Sequence, residues 1–400
     1  MATPTVRNLD LKGKRVLIRV DFNVPVDKQG NITDDSRIQA AIPTIEYVIK
    51  NGGTAILMSH FGRPKAKMPE YSLQPCAERL SQLLGKSVVM APDCIGKQVE
   101  ELCQKSRPGD VIVLENLRFY PAEEKPELDP SFAKNLAKLG DQYVNDAFGS
   151  AHRAHSSVVT IVQYFPKNAA IGFLIEKEIA FLGNALKNPK RPFFAIIGGA
   201  KVSTKIGVLR TLLSKVDALF IGGAMAYTFM KADGILIGKS LFEPEFVETA
   251  KALMAECKQK KIPLYLPIDI VAATAIDENA PSQVFEGAIG TDFEGLDIGP
   301  KTIDLWTKAL VQAKTVLWNG PVGVFEIKKF AVGTEAIALC LAHLKDAITI
   351  AGGGETAASI QQLDLENAFT HISTGGGASL EYIEKGALPG ITIIDSTLAK

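Results

Sequence analysis

The 400-residue chain lacks the features that would place it among disulfide-rich, zinc-binding, secreted or membrane proteins. Its only cysteines are widely spaced and form no CxxC pair: Cys76, Cys94, Cys103, Cys257 and Cys340. Such scattered cysteines favour a reducing compartment. No apolar run approaches the ~18 residues of a membrane span, and the amino terminus lacks the apolar stretch of a secretory signal. We therefore expect a cytoplasmic protein.

The chain also lacks an excess of charge of either sign. Lys+Arg and Asp+Glu both number 44, so the formal net charge is zero. Proteins that bind nucleic acid or anionic membranes usually carry a basic excess, and we expect neither partner. The hydrophobic fraction of 46% and the charged fraction of 22% are typical of folded soluble proteins. A monomer is the default expectation.

Three familiar nucleotide-binding signatures are missing as well. The sequence contains no GxxxxGK[ST], no GxGxxG and no HRD or DFG set. P-loop, dinucleotide-binding and protein-kinase sites depend on these motifs. Any nucleotide site in this chain must therefore be of another kind.

Strand-like runs alternate with helix-length amphipathic segments throughout the chain. This alternation predicts βαβ units with parallel sheets, and 400 residues suit two such domains. The predicted fold class is α/β, with two doubly wound parallel-sheet domains. Helices are predicted at Asp35–Asn51, Leu73–Leu84, Asp129–Leu139, Lys205–Leu213, Glu243–Lys260, Lys301–Ala313 and Thr334–Leu344.

The boundary between the domains is predicted at a helix, Leu174–Leu186, which is followed by the proline-flanked basic run KNPKRP. We expect domains at residues 1–173 and 188–386, with an interdomain helix and hinge at 174–187. A crossover helix within one sheet is the alternative. The tail segment ALPGITIIDS (Ala387–Ser396) has the pattern of one more strand.

Strand-like runs in the first half end in charged or hydrogen-bonding side chains. Ligands of open parallel sheets lie beyond the carboxyl ends of the strands, and the arginine fork matches phosphate and carboxylate geometry. A lone arginine usually belongs to a surface ion pair, but several at successive strand ends predict a site for a small polyanion. The residues are Asp21, Asn23, Arg37, His60, Arg63, Arg118, His152, Arg153 and His155.

Strand-like runs in the second half end in glycine or in an Asn-Gly-Pro turn. Glycine allows close approach of the backbone to a ligand, and amides at a following helix N-terminus favour an anion. Lys201 and Lys205, four residues apart at a predicted helix start, suit phosphate oxygens. Glu326 and Glu355 supply carboxylates for a ribose hydroxyl or Mg²⁺. The runs are Phe193–Lys201, Ala218–Met225, Thr315–Gly323, Ile348–Thr356 and His371–Ser379.

From about Arg15 to Pro389 the chain resembles the phosphoglycerate kinase family. The resemblance is carried by RVDFNVP, SHFGRP, ENLRF, NDAFGSAHRAHSS, GGAKVSTK, GGAM, LDIGP, WNGPVGVFE, GGGET and STGGGASLEY. It implies reversible phosphoryl transfer between 1,3-bisphosphoglycerate and MgADP, giving 3-phosphoglycerate and MgATP, by direct in-line transfer on domain closure. It also implies that the tail, 387–400, returns to the amino-terminal domain. Glycolysis is the implied setting, and carbon fixation stays open.

The resemblance also implies roles for individual residues. The glycerate ligand would be held in the amino-terminal domain by Asp21, Phe22, Asn23, Arg37, His60, Phe61, Gly62, Arg63, Arg118 and Arg153. The nucleotide would face Gly198, Gly199, Lys201, Lys205, Gly222, Gly223, Gly295, Asn319, Pro321, Glu326, Gly353, Gly354, Glu355 and Thr356 of the carboxy-terminal domain. Arg37, Lys205, Gly375 and Gly376 would act on the transferred group, and Glu355 on nucleotide-bound Mg²⁺.

Two positions depart from the family pattern. Glu355 stands where the pattern has aspartate, and Thr204 where an acidic residue often precedes the second lysine. Two other functions remain open at this point. A nicotinamide dehydrogenase would need the missing GxGxxG, whereas a non-catalytic sugar-phosphate binding protein would explain the arginines but not GGAKVSTK or GGGET.

Overall fold

The computed structural model describes residues 3–397, which divide into two compact units. The first unit extends to Ala180 and includes the chain from Ala387 onward, and the second is Phe181–Gly386. Each unit contains a six-stranded parallel sheet with helices between the strands. The predicted fold class is therefore confirmed. Among residues 3–397, no helix is long and apolar enough to cross a membrane.

The sheet of the first unit has the strand order β3-β4-β2-β1-β5-β6, and all neighbouring strands are parallel. Its strands are β1 Arg15–Arg19, β2 Thr54–Met58, β3 Val89–Met90, β4 Val111–Val113, β5 Gln142–Asn145 and β6 Ala169–Ile171. Its helices are α1 Ser36–Lys50, α2 Gln74–Leu84, α3 Lys97–Lys105 and α4 Ser131–Ala137. All five residues of β2 are buried, as expected of a central strand covered on both faces.

The strand order of the first unit reverses direction between β1 and β5. The chain runs from β1 outward to β2 and β4, and β5 then starts on the other side of β1. Right-handed crossovers in opposite directions place helices on opposite faces of a sheet, so the unit is doubly wound. The crevice beyond β1 and β5 is the point where such a sheet binds its ligand.

The second unit repeats this plan with the order β15-β14-β13-β7-β8-β9, which reverses between β7 and β13. Its parallel strands are β7 Phe193–Ile197, β8 Ala218–Ile221, β9 Leu264–Tyr265, β13 Thr315–Asn319, β14 Ile348–Gly352 and β15 His371–Ser373. Its helices are α6 Ile206–Leu212, α7 Met225–Ala232, α8 Val247–Lys260, α9 Pro300–Leu310, α10 Val332–Ala342, α11 Gly354–Gln361 and α12 Gly377–Lys385.

A three-stranded antiparallel sheet in the second unit was not predicted from the sequence. It has the order β11-β10-β12, formed by β10 Asp269–Ala273, β11 Ser282–Glu286 and β12 Glu294–Ile298. Most of β11 is exposed, so it has none of the continuous apolar pattern that marks the parallel strands.

Helix α5, Phe173–Lys187, confirms the helix predicted near the domain boundary, and the division between the units falls within it. Its first turn is capped by Asp146, which directly follows β5. The Oδ1 atom of Asp146 accepts hydrogen bonds from the amides of Leu174 (2.9 Å) and Ile175 (3.4 Å). Burial raises the pKa of Asp146 to about 7.

The tail forms a helix, α13 Pro389–Thr397, so the strand predicted there is wrong. Proline suits the first position of a helix, and Ile391 and Ile394, three residues apart, are both buried. Gly390 is fixed by tertiary hydrogen bonds, because its amide donates to Ala151 O (2.8 Å) and its carbonyl accepts from Asn145 Nδ2 (3.0 Å). These contacts outweigh the strand propensity of the Ile-Thr-Ile-Ile run. Residues 398–400 of the predicted tail lie outside the described residues.

Candidate active site

In the first unit, Asp21 joins the end of β1 to the start of α1. Arg37 Nη1 donates to Asp21 Oδ2 at 2.9 Å, and the amide of Asn23 donates to Asp21 Oδ1 at 3.3 Å. Burial raises the pKa of Asp21, but the positive charges of Arg37 and Arg19 lower it further, so the net pKa is below the usual value. A charged pair therefore lies at the reversal point of the sheet.

Hydrogen bonds join the loops that follow β1, β2 and β4. Asn23 Oδ1 accepts from the amide of Gly62 (2.8 Å), and Arg118 Nη1 donates to the Gly62 carbonyl (2.6 Å). The Asn116 side chain pairs with both backbone groups of Phe61, at 3.1 and 2.7 Å. Segments distant in the sequence thus form one connected surface.

The other residues that are predicted to hold the glycerate ligand differ in exposure. Arg118 is almost fully buried, pairs with Glu124 Oε1 at 2.7 Å and leaves its Nε without a hydrogen-bond partner among residues 3–397. Burial lowers the pKa of Arg118, and the positive charge of Arg153 adds to this effect. Arg63 is exposed, and within residues 3–397 no hydrogen bond or ion pair joins it to the other members. Phe22 is fully buried, and its amide donates to Ser59 Oγ at 2.9 Å.

Sequence reasoning missed two charged residues beneath this surface, Arg19 and Glu123. Both side chains are fully buried, and Arg19 Nη2 lies 3.1 Å from His60 Nδ1. The available signal was an arginine inside the otherwise apolar strand run VLIRV. Nothing in the sequence indicated a role for Glu123, because it lies far from β1 in the sequence and reaches Arg19 only in the folded protein.

In the second unit, the glycine turns after β7, β8 and β13 are hydrogen-bonded to one another. The Gly198 amide donates to Asn319 O (2.9 Å), Gly199 to Pro321 O (2.9 Å) and Gly223 to Val322 O (3.1 Å). A Cβ on Gly198 would lie 2.1 Å from Pro321 O. Close backbone packing therefore requires this glycine whether or not a ligand is present.

Lys205 lies at the point where this sheet reverses. Its Nζ donates to Gly198 O (2.6 Å), Asn319 O (3.1 Å) and Asn319 Oδ1 (2.8 Å). Burial lowers the pKa of Lys205 to about 8, and the charge of Glu355 raises it in part. The ammonium group is thus held against the backbone at the ends of β7 and β13.

Lys201 is exposed, and the expectation that the two lysines share the start of a helix is wrong. Helix α6 begins at Ile206, after Lys205, and residues 201–205 form a turn. Glu243, which sequence reasoning missed, holds this turn by accepting from the amide (2.9 Å) and the hydroxyl (2.5 Å) of Ser203. Thr204 is exposed and donates to Lys201 O at 3.0 Å.

The turns after β13 and β14 are also tied together. Asn319 Nδ2 donates to Gly352 O at 2.9 Å, and the Gly320 amide donates to Thr356 Oγ1 at 2.7 Å. Gly353, at φ +96°, and Gly354 then start α11. Glu355 lies in the first turn of α11 and is exposed.

The predicted backbone donors before α12 are not equivalent. The Gly375 amide donates to Ser373 Oγ at 3.2 Å, so it already has a partner. Gly376 has a positive φ of +52°, and a Cβ there would meet nothing within 4 Å. Space for a ligand is therefore present beside Gly376.

Two of the residues that are predicted to face the nucleotide lie away from the ends of the parallel strands. Gly295 belongs to β12, its amide donates to Ser240 Oγ at 2.8 Å, and a Cβ there would lie 2.2 Å from the Tyr227 hydroxyl. Glu326 is exposed and lines a groove of about 240 Å³ together with Phe325 and Thr334.

Each unit thus has a distinct surface at the reversal point of its sheet. In the first unit it consists of arginine and other polar side chains, and in the second of backbone turns around a buried lysine. This combination is typical of an α/β enzyme that transfers phosphoryl groups between a small anion and a nucleotide.

Comparisons with known proteins define the enzyme further. A family model described as phosphoglycerate kinase matches residues 6–386. Phosphoglycerate kinase of Chlorobium phaeobacteroides (strain BS1) is 52% identical over 399 residues, which are 99% of this chain and 100% of the relative. The cytosolic phosphoglycerate kinase 3 of Arabidopsis thaliana is 51% identical over 394 residues, 98% of each chain. The solved phosphoglycerate kinase of Coxiella burnetii has a TM-score of 0.87 and 39% identity, with 100% of both chains covered.

The chain therefore belongs to the phosphoglycerate kinase family. Its activity is the reversible transfer of a phosphoryl group between 1,3-bisphosphoglycerate and ADP. The dehydrogenase and the non-catalytic binding protein are excluded as alternatives.

Proposed function

We propose that the first unit binds 3-phosphoglycerate or 1,3-bisphosphoglycerate and that the second binds ADP or ATP. The observation that carries this proposal is the contrast between the two reversal points, one formed by arginine-rich side chains and the other by backbone turns around Lys205. A small molecule with a carboxylate and a phosphate needs several separate charged donors. A phosphate chain can instead be followed closely by glycine backbone.

The glycerate site is supported by the hydrogen bonds that fix its side chains before a ligand arrives. Asp21 orients Arg37, and the Gly62 carbonyl accepts from Arg118 while the Gly62 amide donates to Asn23. Pre-positioned donors lose little rotamer entropy on binding. Phe22 and Phe61 are buried supports of these loops, and we assign ligand contacts to the polar members, including the exposed Arg63.

The nucleotide site is supported by the turns around Lys205. Lys201 and Lys205 supply positive charge, and the N-termini of α11 and α12 supply amides with a favourable helix dipole. Close backbone packing explains Gly198 and Gly223, whereas Gly354 and Gly376 leave open space. The exposed Glu326 suits a ribose hydroxyl.

Mg²⁺ is the cofactor that we propose to accompany the nucleotide. Within the described part of the chain, no group of three or more His, Cys, Asp or Glu side chains is arranged to hold a metal ion. One exposed carboxylate, Glu355, lies at the α11 N-terminus and makes no ion pair among these residues. This fits Mg²⁺, which proteins commonly bind through one or two carboxylates, substrate phosphates and water. When bound, the ion would neutralise phosphate charge.

The transfer step needs positioning and charge neutralisation rather than a covalent intermediate. In one direction the nucleophile is already a carboxylate and in the other a nucleotide phosphate, so no general base is required. Arg37, Lys205 and the Gly376 amide would stabilise charge on the group in flight. Because each unit holds one substrate, direct in-line transfer requires the units to close and exclude water.

We further propose a cytoplasmic monomer without nucleic-acid or membrane partners. All proposed site residues belong to a single chain, so the reaction needs no second copy. The relatives from Arabidopsis thaliana and Triticum aestivum are named as cytosolic enzymes.

The proposal is tested by incubating the protein with MgATP and 3-phosphoglycerate in the presence of hydroxylamine, which traps acyl phosphates as hydroxamates. We expect ADP and hydroxamate in equal amounts, and neither product when 3-phosphoglycerate is omitted. ADP formation without 3-phosphoglycerate, or without hydroxamate, would contradict the assignment.

A further inference from the structure

A buried polar network lies beneath the arginine-rich surface of the first unit, and the proposed mechanism does not use it. Its charged members are Arg19, the last residue of β1, and Glu123, which ends the 3₁₀ turn Pro121–Glu123. Both side chains are fully buried, and their charged atoms lie 3.9 Å apart. Buried charges are costly unless they are paired and hydrogen-bonded, so this pair requires an explanation.

The hydrogen bonds of Arg19 determine the protonation of His60. Arg19 Nη2 lies 3.1 Å from His60 Nδ1. A guanidinium group donates and never accepts, so Nδ1 must be the acceptor and cannot carry a proton. The ring proton of His60 therefore resides on Nε2, and the ring is neutral.

Ser157 connects Arg19 to Glu123 in a fixed direction. Arg19 Nε donates to Ser157 Oγ (2.8 Å), so the hydroxyl proton is free to be donated to Glu123 Oε1 (2.6 Å). Glu123 Oε2 also accepts from the Ser157 amide (3.0 Å). An ionised carboxylate accepts both bonds and balances the charge of Arg19; burial raises the pKa of Glu123, and the charge of Arg19 and the bonds from Ser157 lower it in part. Glu123 thus fixes the position from which Arg19 reaches His60.

The charges around His60 agree with a neutral ring. Burial lowers the pKa of His60, Asp21 raises it, and Arg19, Arg118 and His155 lower it again. The net pKa is well below the usual value. His155 itself lies beside Glu123, with its Nδ1 3.7 Å from Oε1, and its pKa falls to about 3, chiefly through burial.

We propose that Glu123 is a positioning residue for the 3-phosphoglycerate site: through Arg19 it holds His60 as a neutral imidazole with its proton on Nε2. His60 then offers the substrate a fixed hydrogen-bond donor rather than a titrating cation. This inference rests on the proposed role of His60 in binding 3-phosphoglycerate. It predicts that His60 does not titrate near neutral pH.

The first test is nuclear magnetic resonance of the full-length enzyme labelled with ¹⁵N-histidine, with the His60 signals assigned by their loss in His60→Gln. We expect a protonated Nε2 and an unprotonated Nδ1 between about pH 5 and pH 8. A proton on Nδ1, or an imidazolium signal in this range, would overturn the proposal. The tautomer is measured on the wild-type enzyme, and the His60→Gln variant serves only to assign the signals.

The second test compares Glu123→Gln with Glu115→Gln, which removes another buried carboxylate of the same unit. Glu115 accepts from the Leu73 amide at 2.9 Å, and within residues 3–397 it forms no hydrogen bond or ion pair with Arg19 or His60. Loss of a charge-assisted bond predicts a KM for 3-phosphoglycerate raised roughly ten- to a hundredfold in Glu123→Gln, with mixed His60 tautomers. The Glu115→Gln enzyme should keep the wild-type tautomer.

A Glu123→Gln enzyme with lower thermal stability but an unchanged His60 tautomer would show a merely structural role. The proposed role of His60 in binding 3-phosphoglycerate is tested independently of Glu123. It is refuted if His60→Gln leaves the KM for 3-phosphoglycerate unchanged. A wild-type Nδ1 proton combined with a raised KM in His60→Gln would instead overturn only the role of Glu123.

Discussion

Arg37 and Arg118 are both proposed ligands of 3-phosphoglycerate, but their surroundings differ. The Arg37 side chain is 35% exposed and is held by Asp21 alone, whereas the Arg118 side chain is 5% exposed and is fixed by Gly62 and Glu124. Arg37 is therefore the more accessible of the two, and we propose that it contacts the charge that develops during transfer. Arg118 is suited to a static grip on the substrate.

We predict that Arg37→Ala lowers kcat by roughly 10²–10³, because it removes a charge contact made in the transition state. Arg118→Ala and Arg63→Ala should mainly raise the KM for 3-phosphoglycerate. A matched control is Arg79→Ala, which breaks the ion pair of Arg79 with Asp35 beside the same helix. Steady-state kinetics measure kcat and KM for each variant. A near-normal kcat for Arg37→Ala would refute the proposed contact of Arg37 with the transferred group.

The lysines of the second unit allow a similar comparison. Lys205 is buried at the reversal point of the sheet, whereas Lys201 is exposed. Lys205→Ala should lower kcat by roughly 10²–10³, and Lys201→Ala should cost much less. Equal, small losses in both variants would show that neither lysine touches the transferred group.

Glu355 is proposed to act on nucleotide-bound Mg²⁺, with helix capping as the alternative. The Glu355→Gln substitution keeps the side-chain length and removes the charge. We expect a higher Mg²⁺ concentration for half-maximal rate and a lower kcat, with little change in the melting temperature of the ligand-free enzyme. Lost stability with an unchanged Mg²⁺ dependence would favour the capping role.

At the scale of the elements, Asp146 links β5 to α5, and its ionisation should affect stability. Its native pKa of about 7 lies above the ordinary value of 3.8 because of burial. A raised carboxyl pKa contributes stability that is complete below the ordinary pKa and is lost as pH rises through the native pKa. Asparagine preserves the cap on Leu174 and cannot ionise.

The free energy of unfolding of Asp146→Asn, relative to wild type, should therefore rise by about 1 kcal/mol between about pH 6 and about pH 8. Urea unfolding of both proteins at these pH values measures the difference. The contributions of other groups, including His60 and His155, cancel in the comparison. Parallel stability curves would contradict the account.

Pattern was sufficient to predict nine of the twelve strands of the two parallel sheets, because these leave continuous apolar runs, but it missed the short edge strands β3, β6 and β9. It failed where tertiary contacts decide the conformation. Gly390 and the buried Ile391 and Ile394 make the tail helical in spite of its β-branched run. The exposed strand β11 carried too little apolar signal to be recognised.

Part of the candidate site could also be predicted from the sequence. Asp21 closely follows β1, and Lys205 lies in the segment between β7 and the next helix, so their position at a sheet edge can be inferred from the sequence. Supporting residues such as Glu123 and Glu243 come from distant segments and reach their partners only through the fold. Contacts of this kind cannot be predicted from the spacing of residues in the sequence.

Across the whole molecule, we propose that each unit binds one of the two substrates. The two surfaces use different chemistry, so a change in one should leave binding to the other intact. Arg118 represents the side-chain surface of the first unit, and Glu326 represents the proposed ribose contact of the nucleotide site in the second. This separation is the central claim, because direct transfer by closure of the units depends on it.

The most direct test is equilibrium titration of 3-phosphoglycerate and of MgADP, each alone, into Arg118→Ala and Glu326→Ala. We expect Arg118→Ala to weaken 3-phosphoglycerate binding by about tenfold or more and to leave the Kd of MgADP nearly unchanged. Glu326→Ala should show the reverse pattern. Weakening of both ligands by either substitution, or of the opposite ligand alone, would contradict the assignment of one substrate to each unit.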